Sequence, residues 1–165
     1  MKKKLSDAEI GYLAGIIDGE GHISITRHRG PRPRGHRYYA LFSVQVAVTN
    51  TNPKVHEWLS ERFVGTCHVH WRKKIDHARH KPSFRWRTSA KVTREMLELT
   101  LPYLVIKREQ ALLALKFLVL RSERVPSART ELYEQMKVLN LRGPRQTTAG
   151  GAASVEQLLG EERLS

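Results

Sequence analysis

Tyr12-Leu13-Ala14-Gly15-Ile16-Ile17-Asp18-Gly19-Glu20-Gly21, running on into His22-Ile23-Ser24-Ile25-Thr26, is the stretch from which the rest of the chain is read. Ser6 or Asp7 can cap a helix, with Glu9 three residues after Ser6, so the pattern predicts a helix from about Ser6 to Gly19. Leu13, Ile16 and Ile17 give it an apolar stripe. Gly11, Gly15 and Gly19 are spaced by four and fall on nearly one face, with Ala14 beside them; small residues placed so let two helix backbones approach closely. Two such helices side by side would bring their Glu20 ends together. Converging carboxylates repel unless cations lie between them, which is how an oxygen-ligand divalent site is made. The same residues also suit a buried helix with glycines for packing and Glu20 as a surface charge.

Working outward, Gly21 to Thr26 alternates and reads as a strand, Arg27 to Arg37 is a Gly/Pro/Arg-rich loop, and Leu41 to Val48 alternates again. Asn52 and Pro53 form a cap and first-turn pair for a second helix burying Val55, Trp58, Leu59 and Phe63. Strands are expected at His68–Arg72 and Ser83–Thr88, joined by a basic loop from Lys73 to Pro82. Helices are expected at Val92 to about Thr100, Lys107–Leu120 and Ser127–Leu141. The order α-β-β-α-β-β-α followed by helices is an α+β domain. It occupies residues 1–141, with 142–165 a linker and a short final helix. There is no internal repeat.

The predicted strands share a pattern. Ile23, Ile25, Phe42, Val44, Val46, Val48, Val69, Trp71, Phe84 and Trp86 fall on one face. Ser24, Thr26, His28, Ser43, Gln45, His70, Arg72, Arg85 and Arg87 fall on the other, with no carboxylate among them. An antiparallel sheet with helices on its apolar side would present this second face as a platform for nucleic acid.

Charge points the same way. Lys and Arg outnumber Asp and Glu by 29 to 16, and between His22 and Lys91 the ratio is 15 to 3. A cationic excess confined to one stretch is the footprint of a polyanion partner. Charge alone does not separate DNA from RNA. No run has the length of a membrane span. Cys67 is the only cysteine, which excludes internal disulfides and a Cys-based zinc site. Met-Lys-Lys-Lys is followed by polar residues instead of an apolar signal core. A cytoplasmic or organellar-matrix protein is expected.

Leu13 to Gly21 resembles the LAGLIDADG motif of homing endonucleases. Leu13, Ala14, Gly15, Ile17, Asp18 and Gly21 match it letter for letter, Ile16 replaces Leu, Gly19 replaces Ala and Glu20 replaces the final Asp. The element order resembles the small, intron-encoded homodimeric members, which carry one motif per chain and saddle DNA with the sheet. The resemblance implies a site-specific double-strand endonuclease on a near-palindromic target of about 20 base pairs. It implies a dimer interface of Gly11, Tyr12, Ala14, Gly15, Asp18 and Gly19. Glu20 of each subunit, with the Gly19 carbonyl, would hold Mg²⁺; Mn²⁺ would substitute, and Ca²⁺ would bind without supporting cleavage. Leu104-Val105-Ile106-Lys107-Arg108-Glu109-Gln110 resembles the family segment from which a lysine enters the catalytic centre, and Lys107 matches it. Asn50 takes the place of a polar residue, often Gln, that orients solvent. Lys54 is a further basic residue near the centre.

For DNA contact the expectation covers Ser24, Thr26, His28, Arg32, Arg34, Arg37, Tyr39, Ser43, Gln45, His70, Arg72, Arg85 and Arg87, with phosphate contacts from Arg145 to Thr148. Two-stranded ribbons fit the major groove, where Arg, Gln and Ser can read base edges. An RNA maturase, or a non-catalytic DNA-binding regulator on the same fold, is the alternative. The acid at Glu20 favours the nuclease.

Overall fold

In a computed structural model of the protein, which describes residues 4–29, 40–70, 81–123 and 126–141, the glycine-bearing stretch forms helix α1, Asp7–Glu20. Ser6 is its N-cap. The Ser6 hydroxyl accepts the Glu9 N–H while the Glu9 carboxylate accepts the Ser6 N–H at 3.0 Å, a reciprocal capping box. The chain passes from α1 into strand β1 (Gly21–Arg29) with no intervening loop. Gly21 donates its N–H to the Ile17 carbonyl and is already extended. A Cβ here would lie 2.5 Å from the Ile17 carbonyl oxygen and 2.8 Å from its Cα, so only glycine allows so tight a junction.

Strand β2 (Ala40–Asn50) is followed by helix α2 (Pro53–Arg62), strands β3 (Gly65–His70) and β4 (Ser83–Thr88), and helices α3 (Ala90–Thr100), α4 (Arg108–Glu123) and α5 (Pro126–Leu139). This is the expected α+β order. The four strands form one antiparallel sheet in the order β1-β2-β4-β3. Thr88 secures the β2–β4 seam beyond its last backbone pair: its hydroxyl accepts the Val46 N–H at 2.9 Å and also meets Thr93 of α3.

The helices cover one face of the sheet. Leu13, Ile17, Ile23, Val46, Val48, Leu59, Phe63, Trp86, Met96 and Leu97 are fully buried between them. Phe117 of α4 and Tyr133 of α5 stack on Phe42, which extends the core to the far end of the β1–β2 ribbon. The Asn140 side chain donates to the Ile23 carbonyl at 2.9 Å, covering part of an edge strand whose groups would otherwise be unpaired.

Several boundaries differ from the sequence expectation, three of them for a visible reason. Strand β1 continues to Arg29, because pairing with β2 carries it past the last apolar residue. Strand β3 begins at Gly65 instead of His68, since a Cβ at Gly65 would overlap the Trp86 ring and glycine lets the strand pass over it. Val69, assigned to the apolar face, is half exposed at this edge. Helix α4 begins at Arg108, with the Lys107 carbonyl accepting its first N–H, from Ala111. The expected linker and final helix over 142–165 lie outside the described residues. Among the described residues no helix is long and apolar enough to cross a membrane.

Candidate nucleic-acid interface and acidic site

Pairing register decides which side chains share the face of the sheet turned away from the helices. Across the sheet, His22, Ala47, Arg87 and Thr66 form one transverse row, and Thr49, Arg85 and His68 form another. Ser24 pairs with Gln45 and Thr26 with Ser43. The His28 Nε2 lies 3.0 Å from the Ser43 hydroxyl. No Asp or Glu occupies any of these positions. His22, Thr49, Thr66 and His68 were missed from sequence; the alternation that places His70 also places His68, already within the expected strand, and reaches Thr66 once the strand starts at Gly65.

Ser24 is on this face but buried, and its hydroxyl has no hydrogen-bond partner; the buried Arg85 Nε also has none. Buried polar atoms are nearly always paired. These two are the groups that a polar ligand on this face would satisfy. Arg32, Arg34, Arg37, Tyr39, Arg72, the His70 side chain and Arg145 to Thr148 lie outside the described residues.

The register also gathers the acidic site. Gly21 pairs with Val48, so Glu20 and Asn50 come to the same end of the sheet. Glu20 and Gly19 are exposed at the last turn of α1, where helix carbonyls lack intrahelical donors. The Asn50 Oδ1 accepts the Asn52 N–H at 2.8 Å, and Asn52 in turn caps α2 by accepting the Lys54 N–H at 3.1 Å. Asn50 therefore shapes the turn into α2 through its oxygen. Lys54 is exposed in the first turn of that helix. Beneath it His56, unforeseen from sequence, is buried with its ring nitrogens 3.3 Å from the Asn52 carbonyl and 3.4 Å from that of Val48.

Lys107 approaches from the loop before α4. Its Nζ donates to the Asp18 carbonyl oxygen. Burial pushes its ammonium pKa below the ordinary lysine value, against the opposing charges of Asp18 and Glu20. The Asp18 carboxylate accepts three consecutive backbone N–H groups: Val105 at 2.8 Å and Ile106 at 3.2 Å on Oδ2, and Lys107 at 2.9 Å on Oδ1. Partial burial pushes this carboxyl up, but the three donors and the Lys107 charge outweigh it and hold the pKa below the usual range.

The α1 face bearing Gly11, Gly15 and Gly19 is open. A Cβ added at any of the three would meet nothing within 4 Å. Tyr12 is half exposed on the same side, edge-on to Trp58. Two residues expected at this face, Ala14 from spacing and Asp18 from the family resemblance, are engaged within the chain. Ala14 is 1% exposed and packs into the core, on the flank of α1 that faces the sheet. The Asp18 carboxylate is engaged with its own chain.

Among the described residues no three His, Cys, Asp or Glu side chains cluster. One chain offers the Glu20 carboxylate and the terminal carbonyls of α1. These hard oxygen donors suit Mg²⁺ or Ca²⁺, and since six or more ligands are the rule, water or other oxygen donors would make up the rest of the set.

Solved structures share the fold. Homing endonuclease I-CvuI, in complex with an I-CreI target in the presence of Mg with the DNA not cleaved, superposes with a TM-score of 0.62 at 22% identity, over 85% of this chain and 86% of that one. The complex of I-CvuI with its own target in the presence of Ca gives 0.58 at 22% identity over the same shares. The group I intron-encoded homing endonuclease I-CeuI, complexed with DNA, gives 0.60 at 14% identity, over 92% of this chain and 74% of that one. The fold is that of the LAGLIDADG homing endonucleases. No protein-family profile matches the sequence, and no curated protein matches it. On the homing-endonuclease fold, the motif-like stretch is α1, and the carboxylate-free face is the side of the sheet opposite the helices.

Proposed function

We propose that this chain is a site-specific endonuclease of double-stranded DNA, working as a homodimer that hydrolyses phosphodiester bonds with divalent cations. The observation that carries the reading is the bond from Lys107 Nζ to the Asp18 carbonyl, two residues before Glu20, at one end of a sheet face with no carboxylate among its described residues. An acid beside a cation at the margin of a polyanion-binding surface is what phosphate hydrolysis requires. The DNA-bound state of the solved homing endonucleases on this fold supports the same substrate.

The open glycine face of α1 is the surface for the second copy, which brings the two Glu20 carboxylates together. Glu20 and the Gly19 carbonyl would hold Mg²⁺, with Mn²⁺ substituting and Ca²⁺ binding without cleavage. When bound, the ion supplies Lewis acidity and an activated water. Lys107 donates to the scissile phosphate and stabilises the charge that develops there. Asn50, whose oxygen is committed to the turn, has its amide N–H₂ left to orient solvent. Lys54 meets a flanking phosphate. Thr26, His28, Ser43, Gln45, Arg85 and Arg87 face the major groove, and two-fold symmetry makes the target near-palindromic.

Selection from a randomised duplex pool in Ca²⁺, followed by transfer to Mg²⁺, tests the reading. Recovery of a long near-palindrome that Mg²⁺ then cuts on both strands is expected. Enrichment of no duplex sequence, or tight binding of structured RNA with DNA left intact, overturns it in favour of a maturase-like role.

A further inference from the structure

We propose that Asp18 is a positioning residue for this centre: it clamps segment 105–107 to the end of α1 and so sets where the Lys107 ammonium stands at the terminus that carries Glu20. The proposal rests on the nuclease reading above. Four observations carry it. First, one carboxylate accepts three consecutive backbone N–H groups from a segment nearly ninety positions away, Val105, Ile106 and Lys107. Bonds to an ionised acceptor are roughly twice as strong as neutral ones. These donors lead into the N-terminus of α4, where an anion also interacts favourably with the helix dipole.

Second, Lys107 is bracketed at both ends. Its backbone N–H goes to the Asp18 carboxylate and its Nζ to the Asp18 carbonyl oxygen. Any displacement of Asp18 therefore moves the lysine. Third, between buried Leu104 and the start of α4 the two middle residues have no side-chain anchor. Leu104 is buried, whereas Val105 is 83% and Ile106 71% exposed, so neither side chain anchors the loop in the core of its own chain. Fourth, three of the roughly four acceptor sites of the Asp18 carboxylate are taken by N–H groups of its own subunit, which makes binding this segment its main engagement.

The test is a double-mutant cycle on the full chain, using Asp18→Asn, Asp18→Ala and Lys107→Met with the duplex recovered by selection. Single-turnover cleavage in Mg²⁺, duplex affinity in Ca²⁺, and metal-free amide exchange at residues 105–107 are the readouts. Asp18→Ala should slow cleavage about 10- to 100-fold, the range for residues that orient a catalytic group through another. Asp18→Asn, which keeps one acceptor oxygen, should fall between Ala and wild type. Affinity in Ca²⁺ should hold, and exchange at the three amides should quicken. In the Lys107→Met background the Asp18 substitution should cost nothing further, because its effect passes through that lysine.

If the two losses multiply in full, or the three amides exchange no faster, Asp18 does not position Lys107. Should Asp18→Ala fail to fold, the Asn cycle decides alone. A wild-type chain that cuts no duplex while its three amides stay protected sinks the nuclease reading itself. A cutting chain with multiplicative losses sinks only the positioning role.

Discussion

Arg62 and Glu9, 53 residues apart in sequence, meet through one carboxylate oxygen: the guanidinium Nη2 lies 2.8 Å and the Nε 3.0 Å from Glu9 Oε1. The other oxygen of Glu9 accepts the Ser6 N–H, so one side chain both closes the cap of α1 and ties that helix to the end of α2. The Arg62 guanidinium also lies 4.3 Å from the centre of the Trp58 ring, which keeps the pair in place.

This pairing makes stability depend on acid. The Ser6 backbone N–H, then Arg62, hold the Glu9 carboxyl down at about 2, from an ordinary 4.5. A depressed folded-state value contributes stability that is fully present above the unfolded value and lost as pH falls through the folded one. Wild type should therefore be more stable than Glu9→Gln at neutral pH, and the difference should shrink between about pH 4.5 and 2. Thermal midpoints of both proteins across that window check this; a gap that does not change with pH assigns the stabilisation to packing.

Glu20→Gln keeps the shape of the α1 terminus and removes its charge. Cleavage in Mg²⁺ should be lost while duplex binding in Ca²⁺ is largely spared. Equal loss of cutting and binding would make Glu20 a structural residue.

At Gly15 the open space within one chain separates folding from association. Gly15→Ala should leave the fold intact and add about 0.5–1 kcal/mol through helix propensity. Gly15→Leu should likewise fold but sediment as a monomer, because its side chain fills the space a second α1 would occupy. A Leu variant that sediments as wild type places the dimer contact elsewhere.

Arg85 lies between Thr49 and His68 in the sheet register, with its buried Nε unpartnered. If it reads a base by a paired contact, Arg85→Ala should relax preference at one or two positions at a cost of about 1–3 kcal/mol. Affinity profiling across single-base variants of the target distinguishes this from a phosphate contact, which would weaken every sequence alike.

Much was legible in local pattern. Ser6, Glu9 and the glycines marked α1, and the alternation of β1 and β2 marked the faces of the ribbon, because caps and period-two strands are set by neighbours in sequence. The start of β3 was not legible: it depends on Gly65 meeting Trp86, a contact between strands. The inward turn of Ala14 was likewise hidden, since it lies on the flank between the apolar stripe and the glycine face, where only packing decides burial.

By itself the sequence determined the element order, the confinement of positive charge to one stretch and the presence of an acid at the end of a glycine-lined helix. All three follow from composition and short-range periodicity. Only the tertiary structure decided that Lys107 bonds to the end of α1 at Asp18, and that Arg85 is flanked by Thr49 and His68 while Arg87 is flanked by Ala47 and Thr66. Those are long-range pairings, fixed by how the helices pack and how the strands align, and no local pattern encodes them.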